Sequence, residues 1–337
     1  MDKPLVLHPL AADLVRLWVD VLEGYYQIQW EGEENLPLGE RFLWTHNHSG
    51  WPSVDALVIA KKIYENNLEK TGEKEAGLAF WHRLVMGSPL GPVLRHLQGM
   101  SIEDIDSYSC WQNHKIFCTP GEGEEGNFKS SFNKLYQPAR FRSGIGWIAC
   151  KAGVRYVQPV TILGPEESFP VIATLRLPFS KIRQWLPYNQ ILLGIRSKLM
   201  EFQHKDVLIP LLAPLQGIPV QWQVRFHKPI DVSREVQRWQ QKPDRSICRQ
   251  IAARAGAAIS ADLSMQRKRR KPWRLVMPGF RPAVITSLGR LGLHLADLAE
   301  QALTGQGAEK PGEDPDVIPI FRNRSAGDRQ PDRKEAG

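Results

Sequence analysis

The segment Thr45-His46-Asn47-His48-Ser49-Gly50-Trp51-Pro52-Ser53-Val54-Asp55 joins an apolar run to an amphipathic one. The preceding residues 41–44 are typical of a short buried strand, and residues 55–63 have the periodicity of a helix. The flexible Ser-Gly link between them allows His48 to fold back onto Asp55. A histidine held by a carboxylate at a strand-to-helix turn can take a proton from a hydroxyl group.

The same alternation of strand and helix patterns continues along the chain. Strands are predicted at 41–45, 78–82, 115–118, 155–162 and 220–227, and helices at 10–26, 52–66, 90–97, 104–112, 139–152, 244–268 and 283–303. No clear periodicity is found between residues 165 and 219. Strands that alternate with helices predict an α/β fold, here a single domain with a mixed β-sheet flanked by helices.

The composition indicates which partner and which cellular location suit such a domain. The 337 residues carry a formal charge of +8 and include eleven tryptophans, which favours an anionic partner and, among these, a membrane interface. Four widely spaced cysteines indicate reduced thiols in a cytoplasmic protein rather than a disulfide framework. The longest apolar run, residues 207–215, is far shorter than the ~20 residues of a spanning helix, so we expect no segment to cross the bilayer.

A second loop carries polar groups at the end of a strand. Residues 116–129 read Ile-Phe-Cys-Thr-Pro-Gly-Glu-Gly-Glu-Glu-Gly-Asn-Phe-Lys, with glycines that let backbone amides approach a ligand. A phosphate bound by these amides would need cations, and the candidates are Lys129, Arg140 and Arg142. The alternative is a solvated acidic turn. Both loops follow strands of one predicted sheet, the usual position of ligands in open α/β folds.

Together, Asn47-His48…Asp55 and Phe117…Pro120-Gly-Glu122-Gly123 resemble two signatures of the 1-acylglycerol-3-phosphate (PlsC-like) glycerolipid acyltransferases, His-x4-Asp and Phe-Pro-Glu-Gly. Residues 124–129, 140–153, 156–160, 163–164 and 222–231 are similar to a bacterial branch of that superfamily. Six residues separate His48 from Asp55 rather than four, in the form Asn-His-Ser-Gly-x-x-Pro-x-Asp, which looks like a variant of that branch. The second motif contains one additional glycine.

The resemblance implies a role for each matching residue. His48 would be the general base that deprotonates the acceptor hydroxyl, and Asp55 would orient and stabilise its imidazole. Glu122 and Gly123 would bind the polar head of the acceptor. The implied reaction is direct transfer of a fatty acyl group from acyl-CoA or acyl carrier protein to a lysophospholipid, with lysophosphatidic acid as the default. Neither a cofactor nor a metal ion is expected.

The implied organisation has four parts. We expect an N-terminal amphipathic helix within residues 1–30, an acyltransferase domain at 31–270, an amphipathic helical extension at 271–304 and a disordered tail at 305–337. The basic run 267–271 and the tryptophan content predict peripheral attachment to the inner, anionic face of the cell membrane, without a nucleic-acid partner. The alternative function is a catalytically inactive lipid-binding protein with the same fold.

His46 has two possible roles, as a metal ligand or as a packed structural residue. It lies two residues before His48, so a continuing strand would place both on one face as a His-x-His metal pair. The sequence shows no third ligand at a persuasive spacing. A packed structural histidine is therefore the preferred interpretation.

Overall fold

The computed structural model describes residues 9–48, 54–73, 75, 77–81, 99–101, 114–178 and 206–276. Its strands are β1 (Gln29–Glu31), β2 (Phe42–His46), β3 (Leu78–Trp81), β4 (Gly99–Ser101), β5 (Ile116–Cys118), β6 (Tyr156–Leu163), β7 (Val171–Pro178), β8 (Asp206–Leu212), β9 (Gln223–Phe226) and β10 (Ile230–Asp231). Its longer helices are α1 (Pro9–Tyr25), α2 (Val54–Thr71), α3 (Gly144–Ala152), α4 (Ser233–Gln241) and α5 (Arg245–Arg269). Single helical turns occur at Glu33–Asn35, Glu124–Asn127 and Pro165–Ser168.

Eight of these strands form one mixed sheet in the order β1-β9-β6-β2-β5-β3-β4, with β10 paired to β6. Strands β6, β2, β5, β3 and β4 are parallel to one another. Strand β9 runs antiparallel to β6 and pairs in parallel with β1. The predicted α/β class, with a mixed sheet flanked by helices, is therefore confirmed.

Each face of the sheet is covered by a different set of helices. Along β2, Leu43 belongs to a core shared with α3, α4 and α5, whereas Phe42 and Trp44 belong to a core shared with α1 and α2. Side chains alternate between the two faces of a strand, so His46 shares the face of Trp44. That face is the one that α2 covers, and Asp55 lies in the first turn of α2.

The helix predicted at 139–152 begins five residues later than expected. The backbone N–H of Ala139 donates to the Glu122 carboxylate at 2.5 Å, and that of Arg142 donates to the Gly121 carbonyl at 2.9 Å. These bonds attach residues before Ser143 to the glycine-rich loop instead of to a helix. The helix ends as predicted at Gly153, whose φ of 61° suits a residue without a side chain.

Several elements have no counterpart in the predicted pattern. Strands β7 and β8 form a separate antiparallel hairpin within the stretch that lacks periodicity, and α4 and β1 were not predicted. The predicted helices at 90–97, 104–112 and 283–303 and the tail at 305–337 lie outside the described residues. Among the helices that are described, none combines the length and apolar character required to cross a membrane.

Candidate active site

Three neighbouring parallel strands end at the same edge of the sheet. His46 is the last residue of β2 and His48 follows it, while Glu122 comes shortly after β5 and Glu166 shortly after β6. Because β6, β2 and β5 lie side by side, these polar side chains converge beyond their carboxyl ends. This position matches the one expected for the two sequence loops.

Asn47 fixes the course of the chain after β2. Its side-chain amide donates to the Ile162 carbonyl at 2.9 Å and accepts from the Ile162 N–H at 2.9 Å, so it replaces a pair of strand hydrogen bonds. On the other side of β2, the Gly121 N–H donates to the His46 carbonyl at 3.0 Å. The backbone that carries His48 is thus held on one side by β6 and on the other by the loop after β5. Sequence reasoning assigned no role to Asn47, although it belongs to the quoted motif.

The buried carboxylate of Asp55 lies between two histidines. Its Oδ2 is 3.8 Å from His48 Nδ1 and 3.6 Å from His46 Nε2. Its Oδ1 accepts a hydrogen bond from the Ala56 N–H at 2.9 Å. The His48 side chain is 8% exposed and that of His46 is inaccessible, so His48 is the histidine that a substrate can approach.

The protonation states of this group suit a general base. Burial opposes ionisation of Asp55, but the two imidazoles outweigh it and hold the pKa of Asp55 far below its ordinary value. Burial lowers the pKa of His48 despite the nearby Asp55 carboxylate. At neutral pH the site therefore contains an ionised carboxylate beside a neutral imidazole, which can accept a proton.

Behind this group lies a buried ion cluster of Lys129, Glu122 and Glu166. The Lys129 ammonium is 2.7 Å from Glu166 Oε1 and 3.8 Å from Glu122 Oε2. Glu166 Oε2 also accepts from the Tyr136 N–H at 3.0 Å. All three side chains are at most 4% exposed. Glu166 was missed by sequence reasoning, since no motif connects it to residues more than 30 positions earlier.

Two glycines in the loop after β5 allow other side chains to pack directly against the backbone. A side chain at Gly121 would meet the Phe141 ring at 2.3 Å, and one at Gly126 would meet the Glu122 side chain at 2.4 Å. These contacts explain why glycine occurs at the two positions. The predicted use of the loop amides as a phosphate cradle stays a prediction.

The three cations proposed for this loop occupy two environments. Lys129 is enclosed in the ion cluster. Arg142 is 54% exposed, with its guanidinium 4.0 Å from the Glu125 carboxylate, and its side chain lies directly beside Gly123. Arg140 is exposed as well. Arg140 and Arg142 are thus the members of this set that solvent, or an anionic ligand, can reach.

Glu122 is expected to make stability depend on pH. Burial raises its pKa from 4.5 to about 7, against the opposing charge of Lys129 and the hydrogen bond from Ala139. Because the folded state holds this proton more tightly than the unfolded chain, the stabilisation is complete below pH 4.5 and is lost as the pH rises to about 7. The shift corresponds to about 3 kcal/mol.

Glu122→Gln should therefore flatten the decline in unfolding free energy between pH 5 and pH 8, measured by urea denaturation at each pH. Glu125→Gln, which alters a more exposed carboxylate of the same loop, is the matched control and should follow the wild-type curve. An equal decline in the Glu122→Gln and wild-type proteins would contradict this assignment.

Comparisons with known proteins add a similarity in fold. No protein-family model matches the chain, and no curated protein matches it. Among solved structures, it is similar to the 1-acyl-sn-glycerophosphate (LPA) acyltransferase PlsC from Thermotoga maritima, with a TM-score of 0.43 and 14% sequence identity over 77% of this chain and 80% of that chain. What the site can do must therefore be inferred from its own side chains.

Proposed function

We propose that the protein is an O-acyltransferase that moves a fatty acyl group from a thioester donor to the hydroxyl of a lysophospholipid or related glycerolipid. The observation that carries this proposal is the position of His48, whose Nδ1 lies 3.8 Å from the buried Asp55 carboxylate at the edge where the parallel strands end. The resemblance of the two sequence motifs supplies the reaction class. Acyl-CoA or acyl carrier protein is the proposed donor, and lysophosphatidic acid is the default acceptor.

In the proposed reaction, His48 takes the proton from the acceptor hydroxyl while the hydroxyl oxygen attacks the thioester carbonyl carbon. The carbon–sulfur bond then breaks, and the leaving sulfur receives the proton held by His48. Asp55 stabilises the charged imidazole between these two transfers. The acyl chain moves directly from sulfur to oxygen, without an acyl-enzyme intermediate.

Activity is tested by following release of the free thiol from acyl-CoA or acyl carrier protein. Purified protein is supplied with single acceptors, namely lysophosphatidic acid, other lysophospholipids and diacylglycerol. Thiol release that depends on one class of acceptor supports the proposal and identifies the acceptor. Liposome binding without thiol release for every donor and acceptor would favour the inactive lipid-binding alternative.

The β7–β8 hairpin is the proposed contact with the lipid surface. Its two faces differ, because Thr174 donates to the Phe128 carbonyl and Arg176 lies 3.5 Å from Glu125, which places their face toward the loop after β5. Leu175 and Leu211 lie on the opposite face, where they are 46% and 41% exposed. An exposed apolar face of this kind marks an interaction surface.

Two further segments carry exposed apolar, aromatic or basic side chains, and the first of them, at residues 130–132, is hydrogen-bonded to the start of β7. The Phe132 ring stacks on Trp273 with centroids 5.8 Å apart, and the adjacent Leu275 is 65% exposed. Residues 267–274 contain six basic and no acidic side chains. Apolar and aromatic groups beside basic ones suit an anionic bilayer, where each basic side chain near the surface adds about 1 kcal/mol. The proposed location is accordingly peripheral, on the cytoplasmic face of the cell membrane.

Leu175→Asp combined with Leu211→Asp is expected to weaken binding to vesicles that contain anionic phospholipid by about tenfold or more, since two charges would enter the headgroup region. Vesicle sedimentation measures the bound fraction. Leu68→Asp combined with Met265→Asp changes two exposed apolar residues on α2 and α5 and serves as the control. Unchanged binding of the hairpin variant would rule out this surface.

A further inference from the structure

Three metal-ligating side chains converge in the active site. His46 and His48 come from positions two residues apart at the end of β2, and Asp55 comes from the first turn of α2. One ligating atom from each residue lies within 4.8 Å of the other two. The sequence offered a His-x-His pair but no third ligand, and the packing of α2 on β2 supplies it.

The ring nitrogens of these histidines near Asp55 are buried and have no hydrogen-bond partner. This holds for His48 Nδ1 and for both ring nitrogens of His46, considering contacts with the described residues. Burying such a polar atom without a partner is costly, so these positions usually bind something in a native protein. A single ion between the rings and Asp55 would satisfy one nitrogen of each histidine.

The surrounding charges also favour a cation. Asp55, Glu122 and Glu166 are buried in this part of the described structure, whereas the neighbouring buried ammonium is that of Lys129. When all three carboxyl groups are ionised, they exceed the single ammonium by two negative charges. A divalent cation at the histidines supplies the missing charge.

We propose that His46, His48 and Asp55 form a binding site for a divalent transition-metal ion of the zinc class. Two imidazoles and one carboxylate suit zinc, cobalt or nickel better than the oxygen-seeking magnesium or calcium. With metal–ligand distances of about 2.0–2.2 Å, tetrahedral coordination separates the ligand atoms by about 3.3 Å. The histidine nitrogens are 3.6 Å and 3.8 Å from Asp55 Oδ2, and all three ligating atoms lie within 4.8 Å of one another, so binding requires these atoms to draw closer together.

Metal binding and base catalysis compete for His48, a consequence that rests on the proposed function. When Nδ1 coordinates a metal ion, the neutral imidazole carries its remaining proton on Nε2. That nitrogen then cannot accept a proton from a hydroxyl. The metal also draws Asp55 away from its role as partner of the imidazole. Zinc-class ions are thus inhibitors of acyl transfer.

The direct test uses cobalt(II), whose visible absorption intensifies on tetrahedral coordination, with the full-length protein after treatment with a chelator. We expect saturation at one ion per chain and displacement by zinc. His46→Gln should lower the affinity by about 100-fold. His227→Gln is the matched control, because His227 faces Asp262 at 3.6 Å without belonging to this cluster.

Asp55→Asn provides a second ligand variant, and circular dichroism establishes that each variant is folded. Absence of cobalt absorption in the wild-type protein, or equal affinity in a folded His46→Gln variant, would overturn the proposal. Because binding is measured without substrate, this result is independent of acyl transfer. If the wild-type protein binds cobalt but transfers no acyl group, the metal site stands and the proposed function fails.

Discussion

Lys129→Met is expected to lower the free energy of unfolding by about 3–5 kcal/mol, because removing one partner of a buried ion cluster leaves the other charges uncompensated. Lys129 lies between Glu122 and Glu166, and all three side chains are buried. Urea denaturation measures the loss at pH 8, because the attraction between the ammonium and the two carboxyl groups is strongest when both are ionised. Lys134→Met is the control, since the Lys134 side chain is exposed on the same segment.

The double variant Lys129→Met/Glu166→Gln should recover part of the lost stability, because it removes one of the carboxylates left without a counter-charge. This result separates a structural role of Lys129 from the phosphate-binding role expected from the sequence. A single variant that is as stable as wild type but has a raised KM for the lipid acceptor would favour phosphate binding and contradict the structural role.

His48→Gln is expected to reduce kcat for acyl transfer by about 10²–10⁴-fold, the usual contribution of a general base. Glutamine keeps a polar side chain of similar reach but cannot accept the hydroxyl proton. Initial rates of thiol release at saturating donor and acceptor measure the effect. His227→Gln again serves as the control, since it removes a histidine near a different aspartate and should change kcat little.

If folded His48→Gln transfers acyl groups at the wild-type rate, His48 is not the base. The pH dependence gives an independent check. In the wild-type protein the rate should rise as His48 loses its proton, at a pH below the ordinary histidine value of 6.5, because burial lowers its pKa. A rate that rises only above neutral pH would point to another group.

Local patterns were sufficient to predict the frame of the site. The apolar run before His46, the helical periodicity after Asp55 and the glycine that ends α3 each depend on neighbouring residues. Each of these patterns determines the local backbone through neighbouring side chains, so the sequence alone predicts the strand, the helix and the helix end. The approach of His48 to Asp55 followed from the short link between strand and helix.

Contacts between distant segments were not predictable in the same way. Glu166 meets Lys129 because β6 and the loop after β5 end at the same edge, and no local pattern records that pairing. His46 faces Asp55 because α2 packs on one particular face of β2. Strand β8 of the hairpin escaped prediction because residues 207–212 include no polar side chain, which removes the alternation expected of a half-buried strand.

In the proposed reaction, the His48–Asp55 pair moves an acyl chain from a thioester to a lipid hydroxyl. The most direct measurement supplies isotopically labelled acyl-CoA or acyl carrier protein with lysophosphatidic acid and follows the products by mass spectrometry. Wild-type protein should form the labelled ester in amounts equal to the released thiol, whereas folded Asp55→Asn should form little. Thiol release without the ester, or equal ester formation by Asp55→Asn, would contradict the claim.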